Sequence, residues 1–473
     1  MTEPPLQVGA RGLRARERVV VNVDSMVARW IGALALLIAT SWLISLLARN
    51  HHHANWDADG RLAWSLTILA AVALIARGIF LGRPVTAAHA ITAGLAVVAG
   101  LGAHILALDV LGNVLIAASG LVLMWPTTAR PQPGELARVW ALVNVTGGDP
   151  VAPFAMQELK SYHFAVDGAA AIAYRTRLGY AVVSGDPIGD EARFGDVVAE
   201  FVAMCHTRGW RIVVLGCSQR RLGLWSSPDA IGQTLRPVPI GRDVVIDVPA
   251  FEMVGRRFRN LRQAVQRTHN AGMITELLME QELDSHQLAE VTDVLLSSSK
   301  GAHTERGFSM ILDGTLTGHY PGVLLMVARD KDGRVQGFHR YVVAGGGTDV
   351  TLDVPWRRRG APNGIDERLS VDMIAAMKGT GTQRLSLAFA AFPEIFNDKE
   401  RGLVSSFFYE VIHLGDSLIA LESLYRYLRK FHALADRRYV LLSFSQVFPL
   451  LFVLLSLEFM PRRRQLPDAM AWE

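Results

Sequence analysis

Two stretches of this chain carry arginines at spacings that suit an anion. The first, WRRRGAPNGIDERLSVDMI from Trp356 to Ile374, runs three arginines into a turn that opens a helix. The unbonded N–H groups of a first helical turn, with guanidinium groups beside them, hold a phosphate or a carboxylate. Asn363 and Gly364 are the turn residues that would bring such a group onto the helix end. A plain structural corner is the other reading of the same residues. The second stretch, GRRFRNLRQAVQRTHNAG, runs from Gly255 to Gly272. At about 100° per residue, Phe258, Leu261, Ala264 and Val265 share one face. Arg256, Arg259 and Arg267 occupy the opposite arc, and Arg262 lies at its border. No acidic residue interrupts the stretch, whereas a solvated helix normally mixes acids with bases. Its polar face therefore suits phosphates.

The elements that must position these arginines are legible on both sides of them. From about Leu136 the pattern changes to short β-rich runs alternating with amphipathic stretches. AAIAYRTRLGYAVVSGDPIGD predicts two strands joined at Arg177–Gly179 and ending in a Gly-Asp-Pro turn. A helix is expected between Gly185 and Phe201, and WRIVVLGCS is a strand. The theme then recurs. GVLLMVARDKDGRVQGFHRYVVAGGGTDVTLDVPW predicts a three-strand meander with turns at Lys331–Gly333 and Gly345–Gly347. The helix NGIDERLSVDMIAAMKGTG and the strand RLSLAFA follow. Two such copies suggest an α/β architecture built from one repeated fold.

The first quarter is of another kind. Half of the 473 residues are hydrophobic, and mean hydropathy is +0.24, high for a wholly soluble protein. Apolar runs occupy Trp30–Ala48, Leu62–Leu81, Val85–Leu108 and Val110–Trp125. A bilayer core needs about 17–25 apolar residues, which the first three reach; the fourth is short and is read as pairing with the third. Arg11, Arg14, Arg16 and Arg18 place the N-terminus inside, Arg77 and Arg83 mark an inside turn, and Asp109 an outside one. After four crossings the Pro-rich linker PTTARPQPGELAR emerges on the cytoplasmic side. Near the C-terminus, FSQVFPLLFVLLSLEFMPRRR contains Pro449 and Glu458, which favour a surface-lying helix over a span. His51–His53 reads as an exposed loop, and Cys205 and Cys217 as buried thiols without metal spacing. No P-loop, G-x-S-x-G or HExxH motif occurs, which excludes the commonest hydrolase classes.

Six pieces now stand in one order: SGDPIGD at 184–190, RRFRNLRQAVQRTHNAGM at 256–273, KGAHTERGFSM at 300–310, DGRVQGF at 332–338, TLDVPWRRRGAPNGIDERL at 351–369 and YRYLRKFHALADRRYVLLS at 425–443. This arrangement resembles the catalytic domain of the aminoacyl-phosphatidylglycerol synthases, the multiple peptide resistance factor family, over nearly all of 150–443. The resemblance implies tandem acetyltransferase-type (GNAT-like) domains after a transmembrane region. The expected boundaries are 1–128 for about four membrane helices, 129–254 and 274–443 for the GNAT-like domains, 255–273 for the basic connecting helix, and 444–473 for a membrane-associated segment.

The resemblance also implies an integral-membrane aminoacyltransferase. It would use an aminoacyl-tRNA donor and a phosphatidylglycerol or related lipid acceptor, altering membrane charge and resistance to cationic peptides. Transfer from one ester to another is near balanced, so no cofactor or metal is expected. Asp353 matches the acid of the family's Asp-x-x-Arg element and is expected to be catalytic with Arg357. In the family the arginine falls three residues after the acid; here that place is Trp356 and Arg357 follows. Asp186, Asn363, Gly364, Lys430 and Arg438 are expected to bind substrate, and Arg256, Arg259, Arg262 and Arg267 to bind tRNA. Two alternatives are a GNAT-fold acyltransferase with another donor on either membrane face, and a non-catalytic protein that binds anionic lipid.

Overall fold

The computed structural model describes residues 57–80, 83–298, 304–305, 307–391, 425–444, 447–459 and 462–463, together with 19–21 and scattered positions from 30 to 45. Nine of the nineteen residues of the Trp30–Ala48 run, the four N-terminal arginines, His51–His53 and Arg464 lie outside the described residues. Two compact units are present. One comprises Met1–Ala129, Thr176–Ala181 and Ala203–Arg211; the other comprises the remainder.

The first unit contains helices α1 (Asp57–Phe80), α2 (Ala87–Ile105) and α3 (Asp109–Met124). Small residues set their spacing. A Cβ on Gly120 would lie 2.6 Å from the Ala71 carbonyl oxygen, and one on Gly112 would lie 2.8 Å from that of Gly100. Such contacts let apolar helices approach closely where burial from water supplies no drive. Ala63–Phe80 and Ala87–Ile105, at 18 and 19 residues, are long and apolar enough to cross a bilayer, and α3 is shorter. Ile91, Leu95 and Val98 on α2 are exposed.

The second unit is built on a twelve-stranded mixed sheet. Its main strands are β1 (Ser161–Phe164), β2 (Ala170–Arg177), β3 (Tyr180–Ser184), β4 (Arg211–Ser218), β5 (Arg236–Asp247) and β6 (Ile274–Met279). They continue as β7 (Val323–Arg329), β8 (Val335–Ala344), β9 (Asp349–Arg357), β10 (Arg384–Ala391) and β11 (Leu434–Leu442). The spatial order is β1-β2-β3-β4-β11-β5-β10-β9-β8-β7-β6. Thus β11, from the end of the chain, lies between β4 and β5, and β5 lies between β11 and β10. The predicted meander is β7-β8-β9.

The helices of this unit are α4 (Leu136–Val145), α5 (Phe194–Thr207), α6 (Arg259–Asn270), α7 (Ser285–Ser297), α8 (Ile365–Met377) and α9 (Val447–Phe459). The α6 periodicity does what its spacing dictates. Phe258, Leu261 and Val265 join one core with Val244 and Ile246 of β5, Leu352 of β9, Leu385 of β10, and Ile365 and Leu369 of α8. Each such buried side chain stabilises by roughly 1.5–3 kcal/mol. Gly364, at φ 104°, starts α8 against α6: a Cβ there would sit 2.5 Å from the Ala264 carbonyl oxygen. Only glycine fits both the conformation and the gap.

The apolar run near the C-terminus forms α9, whose 13 residues are few for a span. Leu450, Val453 and Leu457 are buried, whereas Phe452 and Leu455 are exposed.

Candidate active site

Strands β9 and β10 run parallel for only three pairs, Asp349 with Arg384 to Thr351 with Ser386. Beyond that β9 follows β8, and β10 follows β5 as far as Ala391 opposite Gly241. The β8–β9 register skips at this level, pairing Tyr341 with Leu352 and Arg340 with Val354. Asp353 is therefore the extra residue of a bulge at the point where two parallel strands part. Bulges re-aim side chains in this way beside active sites.

Asp353 is 5% exposed. Its Oδ2 accepts from Arg340 Nη1 at 2.8 Å and its Oδ1 from the Leu312 N–H at 2.8 Å. Arg340 also donates to both oxygens of Glu280, at 2.6 and 3.0 Å. Burial pushes the Asp353 carboxyl up to about 6, against the opposing pull of Arg340 and the Leu312 amide. Burial opposes the charge on Arg340, but Glu280 and Asp353 outweigh it and raise its proton affinity.

The corner and the basic helix meet, as the Gly364–Ala264 approach requires. Arg256, Arg259 and Arg267 are exposed, and among the described residues none of them forms an ion pair. Arg262, expected beside them, donates to the carbonyls of Met253 and Gly255 at 2.6 and 2.9 Å. It secures the entry to α6.

The corner arginines are largely engaged. Arg357 lies 3.2 Å from Asp366 Oδ2, and Arg358 pairs with Asp293. Lys430 pairs with Glu367. Asp366 and Glu367 form the first turn of α8, so the helix end already carries carboxylates where an anion was expected. Buried His339 lies 3.3 Å from Asp366 Oδ1. Asn363 is exposed. Trp356 is buried, and Arg357 follows Asp353 by four residues, about 13 Å of extended strand. The two residues thus stand well apart along the strand.

A second cluster lies where β3 and β4 end. Arg438 donates to Asp149 at 2.5 Å, to Asp243 at 2.8 Å and to the Gly216 carbonyl at 3.0 Å, and lies 3.7 Å from Asp186. Asp186 also accepts from the Ser218 N–H at 3.0 Å. Three carboxylates around one guanidinium leave an excess of negative charge. Burial, with Asp149 close by, raises Asp186, and burial raises Asp243 to about 6. Nearby, buried Lys160 donates to the Phe154 carbonyl and to Ser184 Oγ, both at 2.7 Å. Cys205 and Cys217 are free and buried, and burial raises both thiols.

This layout can be set beside known proteins. Residues 140–442 match the family model described as phosphatidylglycerol lysyltransferase, C-terminal. The chain belongs to that family. The resemblance carried by the six motifs is borne out, and the chain is accordingly a transferase. It is 67% identical, over 96% of its length and 94% of the relative's, to an MprF-like domain protein of Mycobacterium tuberculosis. It is 30% identical to the lysylphosphatidylglycerol biosynthesis bifunctional protein LysX of Rhodococcus jostii, over 60% of this chain but only 25% of that protein. Two solved structures share the fold at 20% identity. The C-terminal domain assigned to a lysylphosphatidylglycerol synthetase of Agrobacterium fabrum gives a TM-score of 0.58, covering 70% of this chain and all (100%) of that one. L-PGS of Bacillus licheniformis gives 0.55, covering 69% and 96%.

Several residues of this transferase's interior escape motif reading: Arg340, Glu280, His339, Lys160, Asp149 and Asp243. One signal was available. His339 and Arg340 interrupt the otherwise apolar strand QGFHRYVVA, and a charged residue inside a buried strand requires a partner.

Proposed function

We propose that the chain transfers an aminoacyl group from aminoacyl-tRNA to a hydroxyl of phosphatidylglycerol. In this reading it is a multi-pass membrane protein whose transferase unit lies in the cytoplasm. The observation that carries the proposal is α6 and the turn that enters it: three exposed arginines without carboxylate partners among the described residues, beside a helix end, in a family of lysylphosphatidylglycerol enzymes. Unpaired cations on one helix face suit the closely spaced phosphates of an RNA acceptor stem.

The sheet supports a tandem GNAT-like reading. Strands β3 and β4 end at Asp186, β9 and β10 part at Asp353, and each acid is held near a buried arginine. In the reaction the lipid hydroxyl oxygen attacks the aminoacyl ester carbonyl. The ester bond to the tRNA ribose breaks, and the hydroxyl proton passes to the ribose oxygen. Ester exchange is close to balanced, so alignment and proton handling are what the protein must supply. Asp353 handles the proton, having accepting capacity beyond its two present bonds. Asp186, whose buried Oδ2 has no hydrogen-bond partner among the described residues, accepts from the donor's ammonium. Arg357 and Lys430 exchange their carboxylate partners for the lipid phosphate, assisted by Asn363, Gly364 and the first turn of α8. The product adds positive charge to the membrane surface, which would repel cationic peptides.

The test is direct. The full chain is reconstituted in phosphatidylglycerol vesicles and supplied with tRNA charged with labelled lysine. Label in the lipid fraction, abolished by ribonuclease, is the expected result; label-free lipid with every charged tRNA supplied overturns the proposal.

Buried Trp356, where the family pattern has arginine, favours one other reading: an acyltransferase of the same fold with a different donor, on either membrane face. A topology reporter fused after residue 134 that reads outside would decide for this alternative, since an external domain meets no tRNA; read inside, the ribonuclease arm of the lipid assay separates the two.

A further inference from the structure

The motif KGAHTERGFSM is a family segment given no task above. Its described part leads into Gly307–Gly314, which has no regular secondary structure, yet Phe308, Ser309, Leu312 and Asp313 are buried. Groups from three parts of the fold hold this segment. Asp353 accepts the Leu312 N–H, and Arg340 donates to the carbonyls of Leu312, Asp313 and Gly314 at 3.3–3.4 Å. Gln157 Nε2 donates to the carbonyls of Gly307 and Ile311, both at 3.1 Å, and the Phe308 ring lies 5.1 Å from Lys160 Nζ. From the third side, Glu458 of α9 accepts the N–H groups of Phe308 and Ser309 at 3.1 and 3.0 Å, and the Ser309 hydroxyl.

Glu458 is the sole charged residue of α9. A carboxylate in so apolar a helix is costly unless it has donors, and among the described residues its donors come from one segment. The side of α9 turned away from buried Leu450, Val453 and Leu457 is apolar and open, with Phe452 60% and Leu455 37% exposed, and Glu458 lies at its margin, one turn from Leu455. Phe444, just before the helix and under Arg236, is also exposed. Arg462, Arg463 and Arg464 follow the helix in sequence. An apolar face bordered by arginines is complementary to an anionic lipid surface.

We propose that α9 docks on anionic lipid through this face and that Glu458 is a positioning residue. Lipid contact fixes Gly307–Gly314, and through the Leu312 amide it fixes Asp353. The inference rests on the reading that the acceptor is a membrane lipid.

The experiment uses the full chain in nanodiscs of phosphatidylcholine alone or mixed with phosphatidylglycerol. Amide hydrogen exchange is followed at Phe308, Ser309 and Leu312. Anionic discs are expected to slow exchange there by about tenfold, the scale of a charge-assisted hydrogen bond. In Glu458→Gln, and separately in Phe452→Ser with Leu455→Ser, this lipid dependence should vanish while exchange in β8 and β9 stays as in the wild type. Equal exchange in both discs for the wild type overturns the proposal. So does a Glu458→Gln variant whose β8 and β9 amides loosen equally, since Glu458 would then be ordinary packing. A change of oligomeric mass on Phe452→Ser, without lipid dependence, would make the face a contact between copies and also overturns it. Because exchange needs no turnover, absence of lipid product would sink only the proposed function. Product formation with lipid-independent exchange would sink only this inference.

Discussion

The transferase unit uses arginine in two opposite ways. Arg256, in the turn that enters α6, and Arg259 and Arg267 on it stand exposed with no carboxylate among the described residues, whereas Arg340 and Arg438 are buried among two and three. An exposed unpaired guanidinium contributes little to the fold and keeps its charge for a partner. A buried one is balanced within the fold, and removing it strands its carboxylates in low dielectric. Charge alone therefore does not mark a binding residue; the local supply of acids does.

The buried class should give the largest effects. Arg340→Ala leaves Glu280 and Asp353 facing each other without a cation. We expect a loss of about 3–5 kcal/mol in denaturant unfolding, and Arg438→Ala at least as large a loss. A cost below about 1 kcal/mol would place Arg340 with the surface class.

Next comes Asp353→Asn, which keeps the size and removes the charge. Transfer to lipid should fall by about 100-fold. The same variant tests the electrostatics. Because the folded Asp353 carboxyl is raised to about 6 from an ordinary 3.8, its contribution to stability is fully present below 3.8 and is lost as pH rises through about 6. The melting temperature of the wild type relative to Asp353→Asn should therefore decline between pH 4 and pH 7 (about 4 to about 7 is the window this shift defines). A rising difference would mean that the ion pair with Arg340, not burial, sets this carboxyl.

Between the classes stands Arg357, half exposed and held by one carboxylate. Arg357→Ala should cost less than about 1 kcal/mol of stability. In the proposed reaction it should raise KM for vesicle-borne lipid with little change for tRNA. If KM for tRNA rises instead, Arg357 belongs with α6.

What was legible in the sequence follows from range. The apolar face of α6 and the β7-β8-β9 meander rest on periodicity and local turns, so both could be read directly. The parting of β9 and β10 depends on register skips between strands far apart in the chain, which no local pattern reports. Arg340 and Glu280 lie 60 residues apart, and Arg438 and Asp149 lie 289 apart. The engagement of Arg357 and Lys430 was closer to the surface of the text: GIDERL places Asp366 and Glu367 in the very turn proposed for an anion. Glu458 was read as a reason to lay its helix on a surface, and the structure shows it binding two amides and a hydroxyl instead.

The smallest effect on the fold carries the central claim. Replacing Arg256, Arg259 and Arg267 together by alanine should leave stability within about 0.5 kcal/mol, because the apolar face of α6 is untouched. Binding of deacylated tRNA to the full chain, measured across a salt series, is the decisive quantity. The account predicts weaker binding to every tRNA tested and a log–log salt slope shallower by about 2–3, as expected when three phosphate contacts are lost. An unchanged affinity and slope in a folded triple variant would contradict it.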